Sequence, residues 1–442
     1  TRRDLNSMIR EVIACLSVYR TYIRAEADEI TEQDQHYINE AVDAAKLNRP
    51  DLDAELFDFF RSILLLQSRG PLQSELVMRF QQSTGLVTAK GIEDTLFYCY
   101  NRFVALNAVG GAPDRFSLSA DEFHVRNQNI LQHWSHTMLA TTTHDTKRGE
   151  DVRMRLAVLS EMPTRWAAIV RNWSKLNASY RTQLQPERNI EYLFYQTLVG
   201  SWPIETDRLQ AYMLKAAREA KQFTSWTAPA EDYERALANF IDRSLQDSEF
   251  RAQVQRFVTE IKPLGYINSL SQTLLKLTSP GVPDIYQGSE LWDFRLVDPD
   301  NRTPVDYQHR RQLLKELDDL ALEKILSRWD DALPKLWLIR RTLAFRQSRA
   351  DLFADGAYQP LIAKGGKAQH VVAFNRAGAA ITIVSRFPLG LNNDWQDTTI
   401  EIPPGKWRNL FTGDAVAAGR RSLSELLRRF PVALLAISGP VS

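Results

Sequence analysis

A run of β-branched residues, Thr141-Thr142-Thr143, closes on His144-Asp145-Thr146-Lys147-Arg148, and a long stretch of helical periodicity follows before the chain turns sharply at Ser279-Pro280-Gly281-Val282-Pro283. The first run is strand-like, with His144-Asp145 at its end. The second follows the apolar run Leu270 to Leu277 and is broken by Pro280, Gly281 and Pro283. The layout therefore predicts two strands separated by a helical insertion, in which Leu209, Tyr212, Met213, Ala216, Ala217 and Ala220 form one apolar stripe.

The rest of the chain divides by periodicity. Met8, Ile9, Val12, Ile13 and Leu16 recur at helical spacing, as do Leu56, Phe57, Phe60, Ile63 and Leu64. The charged stretch Glu26 to Asp34 between them reads as a solvated surface. Residues 76–112 mix short apolar runs with Gly and polar clusters, which predicts strands and loops. Gln128 to Leu139 reads as a helix, and Asp306 to about Arg346 is helical again. Beyond about 350 come short strand-like runs, His370–Phe374, Ala380–Val384, Thr398–Ile402 and Val432–Ile437, punctuated by Gly, Pro and Asn. Their regular spacing predicts a small β-sandwich. The expected segments are a helical subdomain at 1–75, strands and helices including the His-Asp strand at 76–149, the helical insertion at 150–265, the last strand and its helix at 266–348, and the sandwich at 349–442.

Composition narrows the function classes. With 442 residues and 44% hydrophobic content the chain can bury a large core. A net charge of +1 gives no electrostatic case for nucleic acid or an anionic membrane as partner. No apolar run approaches the ~18 residues of a spanning helix, and the N-terminus has no signal-peptide pattern. The two cysteines, Cys15 and Cys99, supply no disulfide framework and fit a reducing cytoplasm. The seven histidines give no ligand spacing for a metal: His133 and His136 share a helix face without a third partner. No phosphate loop or dinucleotide fingerprint is present, so no cofactor is expected.

Three clusters are able to carry chemistry. In the first, Lys147 and Arg148 follow Asp145 and are placed to keep its carboxylate ionised. Asp145 reads either as a catalytic carboxylate or as a capping or surface residue, and His144 either as a donor to sugar hydroxyls or as a satisfied structural histidine. In the second, Lys90, Glu93 and Asp94 cluster beside Gly91, either to bind sugar hydroxyls through charge-assisted hydrogen bonds or to form a local ion pair. In the third, Asp298, Asp300 and Arg302 make a polar turn ahead of a helix, as turn chemistry or as substrate contacts.

Taken in order, these motifs resemble the maltooligosyltrehalose synthase family of the α-amylase superfamily (glycoside hydrolase family 13). The resemblance rests on Val87-Thr-Ala-Lys90-Gly-Ile-Glu93-Asp94-Thr through Val109-Gly110-Gly111, on Thr142-Thr143-His144-Asp145-Thr146-Lys147-Arg148-Gly149-Glu150-Asp151-Val152-Arg153, on the run from Ser279 to Tyr307, and on Val18-Tyr19-Arg20-Thr21-Tyr22. It covers essentially the whole chain. It implies an α/β plus all-β architecture: the C-terminal part of a (β/α)8 barrel with large helical insertions, followed by the sandwich. In such a barrel the C-terminal strand ends carry the chemistry.

The implied activity is an intramolecular transglycosylation. The reducing-end α-1,4 linkage of a maltooligosaccharide is cleaved with retention and re-formed as α-1,1, giving maltooligosyl trehalose. By the family's pattern Asp145 is the transition-state stabiliser. His144, Lys90, Glu93, Asp94, Lys147 and Arg148 are substrate-binding, with Lys90 and Glu93 near the subsite where the freed glucose turns over. No metal or organic cofactor is implied, and the partner is a maltooligosaccharide or other α-glucan. Two departures matter. Ala108 stands where the family pattern has Glu, and no Gly-x-Arg-x-Asp strand for a nucleophile, nor one for a general acid, occurs in the chain. The expectation is therefore a C-terminal portion lacking the N-terminal half of the enzyme and inactive alone. A related α-glucan hydrolase and a non-catalytic glucan-binding remnant are the alternatives.

Overall fold

The computed structural model describes residues 1–182, 185–298 and 300–437. The chain divides into two compact units, Thr1–Tyr100 with Ala217–Thr227, and Asn101–Ala216 with Ala228–Ser442. The helices used below are α1 (Arg2–Ala14), α2 (Glu32–Asn48), α3 (Ala54–Leu64), α4 (Pro71–Thr88), α5 (Ala120–His133), α6 (Glu150–Ala157), α7 (Pro163–Leu176), α8 (Arg188–Ser201), α9 (Thr206–Ala220), α10 (Glu231–Gln246), α11 (Ser248–Thr278), α12 (Tyr307–Glu316), α13 (Leu322–Leu326) and α14 (Leu333–Ser348). The strands are β1 (Met138–Leu139), β2 (Val282–Pro283), β3 (Tyr358–Pro360), β4 (Val371–Arg376), β5 (Ala380–Ser385), β6 (Thr399–Asn409), β7 (Ala415–Ser422) and β8 (Val432–Ile437). No helix among the described residues is long and apolar enough to cross a membrane.

The first unit is helical. Capping boxes start α1 (Thr1 with Asp4) and α2 (Thr31 with Asp34), satisfying backbone N–H groups that have no partner inside the helix. Met8 and Val12 of α1, Ile38 and Val42 of α2, Phe57 and Phe60 of α3, and Val77 and Phe80 of α4 close its core. Here the sequence reading is corrected. Residues expected as strands from 76 onward continue α4, which passes into a π-helix, Ala89–Leu96. The physical reason is the spacing of the buried face, Val77, Phe80, Gln81 and Thr84, which recurs every three to four residues in spite of Gly85 and Gly91.

In the second unit an aromatic cluster, including Trp166 and Trp173 of α7, Phe194 and Tyr195 of α8, Phe240 of α10, and Phe250 and Phe257 of α11, fills the helical layer. The apolar run Leu270–Leu277 is the last part of α11, and the strand that follows is only Val282–Pro283. The helix expected over Gln128–Leu139 begins earlier and ends at His133, started by a Ser119–Glu122 capping box.

After residue 350 the strands form one six-stranded antiparallel sheet, ordered β3-β4-β5-β8-β6-β7, in place of the two facing sheets of the expected sandwich. Its curvature has a local cause. The β6–β7 register shifts between Ile402 and Lys406, at Pro403-Pro404-Gly405, where proline removes ladder donors. One face, including Val372, Val384, Val432 and Leu434, packs on Leu270, Leu274 and Leu277 of α11 and Leu338 of α14. The other, including Val371, Ile381, Ile383 and Leu435, packs on Ile400, Ile402 and Trp407 of the curled part and on Leu423 and Leu426. With both faces covered, β4 and β5 are buried at every residue, and the polar alternation of a half-exposed strand is absent.

Candidate active site

The two signature segments lie side by side. β1 and β2 pair in parallel, with Met138 opposite Val282 and Leu139 opposite Pro283, joined by Val282 N–H to the Thr137 carbonyl (2.8 Å) and Asp284 N–H to the Leu139 carbonyl (2.9 Å). Because the strands are parallel, His144-Asp145 after β1 and Asp284 to Tyr286 after β2 leave the pair at the same end. Gly281 makes the pairing possible: its φ is +120°, and a Cβ there would lie 2.8 Å from Leu139 Cγ.

His144 and Asp145 sit in a tight turn after β1, not in a strand as expected. The threonines that suggested a strand act through their hydroxyls. Thr143 Oγ1 accepts from the amides of Asp145 and Thr146, both at 3.2 Å, and Thr146 Oγ1 accepts from the amide of Thr143, also at 3.2 Å. Asn301, buried, donates through Nδ2 to the carbonyls of Thr143 (3.3 Å) and His144 (3.1 Å). The segment before it runs alongside the loop, with Gly149 N–H to the Arg295 carbonyl (2.8 Å) and Val297 N–H to the Lys147 carbonyl (3.2 Å). His144 is exposed, Asp145 half-buried, and Lys147 and Arg148 fully buried. The Arg148 guanidinium donates to Tyr212 Oη (2.7 Å) and the Val104 carbonyl (3.3 Å). Asp300 is engaged by a bidentate ion pair with Arg208 (2.9 and 2.7 Å), which favours the turn-and-scaffold reading for that residue, whereas Asp298 meets Arg302 at 3.4 Å near the surface.

Beneath this loop lies a charge cluster that sequence reasoning missed. Glu150 and Asp151 open α6, Lys276 ends α11, Lys335 begins α14, and all four are buried. Lys335 Nζ donates to Glu150 Oε1 (2.7 Å), Asp151 Oδ2 (2.8 Å) and the Leu291 carbonyl (3.2 Å). Lys276 Nζ donates to Thr141 Oγ1 (2.7 Å) and Glu150 Oε2 (3.2 Å). The amide of Asp293 donates to Asp151 Oδ2 (2.5 Å), and Arg295 Nε to Asp293 Oδ1 (2.7 Å). Burial alone would raise the Glu150 pKa, but the ammonium groups of Lys335 and Lys276 outweigh it and hold the carboxyl at about 2. For Asp151 burial wins and raises it. Burial works to lower Lys335, and the two carboxylates overcome it, raising the ammonium above its ordinary value. The cluster clamps the loop after β1, the turn after β2 and three helix ends together. The one signal in the sequence was the Glu150-Asp151 pair inside the first signature. Lys276 and Lys335 carried none, and Asn301 lay inside the Ser279–Tyr307 run with no role read for it.

In the first unit, Tyr19 of the Val18–Tyr22 segment donates from its hydroxyl to the buried Glu93 carboxylate. That segment is fixed by Gln81, whose Oε1 accepts from Thr21 Oγ1 (3.0 Å) and Ile23 N–H (2.7 Å). Lys90 and Asp94, four residues apart on the π-helical segment, make an ion pair at 2.6 Å with Lys90 largely exposed. Such an exposed pair contributes about 0.3–0.5 kcal/mol. Thus Tyr19, Lys90, Glu93 and Asp94 are gathered on one short stretch of π-helix and the loop beside it.

The comparisons with known proteins agree with one another. The chain is 38% identical over 369 residues, 82% of its length, to a protein of Mycobacterium tuberculosis that carries the name maltooligosyl trehalose synthase, and covers 45% of that protein. It is similar to the structure of maltooligosyltrehalose synthase from Arthrobacter ramosus, with TM-score 0.87 and 35% identity, covering 98% of this chain and 54% of that one. A maltooligosyl trehalose synthase structure from Sulfolobus tokodaii matches with TM-score 0.75 and 31% identity over 97% of this chain and 53% of that one. No family model matches. The chain spans about half the length of the relatives it matches.

Proposed function

This chain belongs to the maltooligosyltrehalose synthase family, and from that membership we propose that it supplies part of the active site for converting the reducing-end α-1,4 linkage of a maltooligosaccharide into an α-1,1 linkage. The observation that carries the reading is the parallel pairing of Met138 with Val282 and Leu139 with Pro283, which sends both signature loops out from one end of the strand pair. That arrangement supports β1 and β2 as the last two strands of a (β/α)8 barrel, whose chemistry gathers at that end.

In this reading Asp145 stabilises the oxocarbenium-like transition state and His144, exposed beside it, binds the same sugar. Lys90 and Glu93 lie near the subsite where the freed glucose turns over, and Asp94 is a further substrate-binding residue. The tie of Glu93 to Tyr19 fixes one carboxylate for that purpose. Lys147 and Arg148 are assigned to holding the loop, because both are buried and the Arg148 guanidinium is engaged by Tyr212 and Val104. A retaining mechanism needs a nucleophile and an acid/base about 5–5.5 Å apart. Asp145 alone cannot protonate a leaving group and also trap a glycosyl. We assign both groups to the remainder of the full-length protein, so the chain alone is inactive. Water has to be kept from the glycosyl-enzyme intermediate, or hydrolysis replaces transfer.

The test is incubation with maltopentaose, following reducing ends against free glucose. The chain alone should change neither. The full-length protein should lose reducing ends without releasing glucose, and its Asp145→Asn variant should not. Transglycosylation by the isolated chain would overturn the assignment of the two missing groups, and glucose as the main product of the full-length protein would favour the hydrolase.

A further inference from the structure

In the second unit, a cleft of about 500 Å³ lies between α11 and the segment joining α13 to α14, lined by Lys262, Tyr266, Arg328, Trp329, Asp330 and Asp331 among others. Its volume falls within the ~300–1,000 Å³ of small-molecule sites. None of the lining residues belongs to the His144-Asp145 loop.

The cleft has an aromatic wall. Trp329, half-buried, stacks on Tyr266 with centroids 5.9 Å apart and planes within 8°. Tyr266 stacks in turn on Trp292 at 4.3 Å and 9°, and the Trp292 indole N–H donates to the Trp329 carbonyl (2.5 Å). The Trp329 ring is held by its stacking on Tyr266 and its main chain by the Trp292 indole, before any ligand arrives. The rim is fixed as well. Lys262 Nζ donates to Asp330 Oδ1 (2.8 Å), which also accepts from Tyr266 Oη (3.0 Å), and Arg328 Nε donates to Asp331 Oδ2 (2.7 Å). Pre-ordered side chains lower the entropy lost on binding.

The charges choose the ligand class. Arg328 also pairs with Glu316 (2.6 Å), so both cations are already matched by carboxylates: an anion meets Asp330 and Asp331, and a cation meets Lys262 and Arg328. A neutral ligand that both donates and accepts hydrogen bonds, and has an apolar face for the indole, meets neither penalty. We propose that this cleft binds a saccharide, one or two glucosyl units of an α-glucan chain, with Trp329 as the stacking platform and Asp330, Asp331, Lys262 and Arg328 as hydroxyl partners. The saccharide class follows from the cleft alone, while the choice of an α-glucan rests on the proposed function.

The test is binding of maltopentaose to the full chain, by calorimetry and by hydrogen exchange of residues 327–331. Trp329→Ala should weaken binding by about tenfold or more, equivalent to about 1.4 kcal/mol. In a His144→Ala/Asp145→Ala background, which removes the sugar contacts proposed for that loop, the binding that remains should protect residues 327–331 and should be lost on adding Trp329→Ala. Should Trp329→Ala fail to fold by circular dichroism, Asp331→Ala, at an exposed rim position, should weaken binding several-fold with Trp329 in place. Maltopentaose binding that is unchanged in these cleft variants, or no protection of 327–331 at saturating maltopentaose, overturns the proposal. Because the readout is binding and not product formation, a failure of the catalytic reading leaves this result standing.

Discussion

Lys335 Nζ lies 2.7 Å from Glu150 Oε1, with both side chains almost completely removed from solvent. A lone buried ammonium of this kind would be strongly unfavourable, yet here it also reaches Asp151 and the Leu291 carbonyl, so three of its donors are used. What the pair joins is the start of α6, directly after the His144-Asp145 loop, to the start of α14, and the bond to Leu291 ties in the turn after β2.

Removing one partner of such a cluster leaves uncompensated buried charge on the other. Lys335→Met is therefore expected to lower the unfolding free energy by about 3–5 kcal/mol, measured by urea denaturation. A change below about 1 kcal/mol would mean that the carboxylates find other partners or protonate cheaply.

The cluster also predicts a pH response. Glu150 is held at about 2 against an ordinary 4.5, so its contribution is fully present above 4.5 and is lost as pH falls toward 2. Asp151 runs the opposite way. Its pKa is raised by burial, so acid favours its folded protonated form. Glu150→Gln should give a chain less stable at neutral pH whose stability falls less steeply between pH 4.5 and 2 than that of the unaltered chain, followed by thermal denaturation across that window. An equally steep fall would place the acid-sensitive carboxylate elsewhere.

How much of this was readable from residues alone depends on whether the determinant is local. The pairing of the two signatures was implied by the family resemblance and not by their residues: Thr141-Thr142-Thr143 reads as the strand, whereas the strands that pair are Met138–Leu139 and Val282–Pro283. The strand's end was misplaced, since Thr143 and Thr146 bond to the local backbone and turn the chain instead of extending it. Helicity around residue 90 was obscured by Gly85 and Gly91, whose weak propensity is overridden by the buried face of α4. Lys335 gave no sign of its role: it sits in Leu333-Pro334-Lys335-Leu336, an ordinary helix start, and its partner Glu150 is 185 positions away. The single sheet in place of a sandwich follows from β8, which pairs with β5 on one side and β6 on the other, a long-range pairing that strand-like runs do not reveal.

Asn301 offers a test confined to the His-Asp loop. Its Nδ2 holds the carbonyls of Thr143 and His144 from a buried position. Asn301→Ala should cost about 1–3 kcal/mol through the unsatisfied carbonyls. It should also speed amide exchange at Asp145 and Thr146 more than in α11. Uniform acceleration across both would show that Asn301 supports the whole unit and not the loop.

Two glycines with positive φ separate backbone strain from steric conflict. Gly378, between β4 and β5, has φ +68° and open space where a Cβ would go, so Gly378→Ala should cost only the about 1–2 kcal/mol of a left-handed alanine. Gly281 has φ +120°, and its Cβ would lie 2.8 Å from Leu139 Cγ and 2.9 Å from the Thr137 carbonyl, the acceptor for Val282 N–H. Gly281→Ala therefore carries the strain and also pushes β1 and β2 apart at the hydrogen bond that joins them. It should destabilise the chain more than Gly378→Ala, and hydrogen exchange at Val282 and Asp284 should rise selectively. Equal destabilisation of the two variants, with those amides still protected, would show that β1 and β2 separate without breaking their ladder and would remove the close approach at Gly281 as the cause of their pairing geometry.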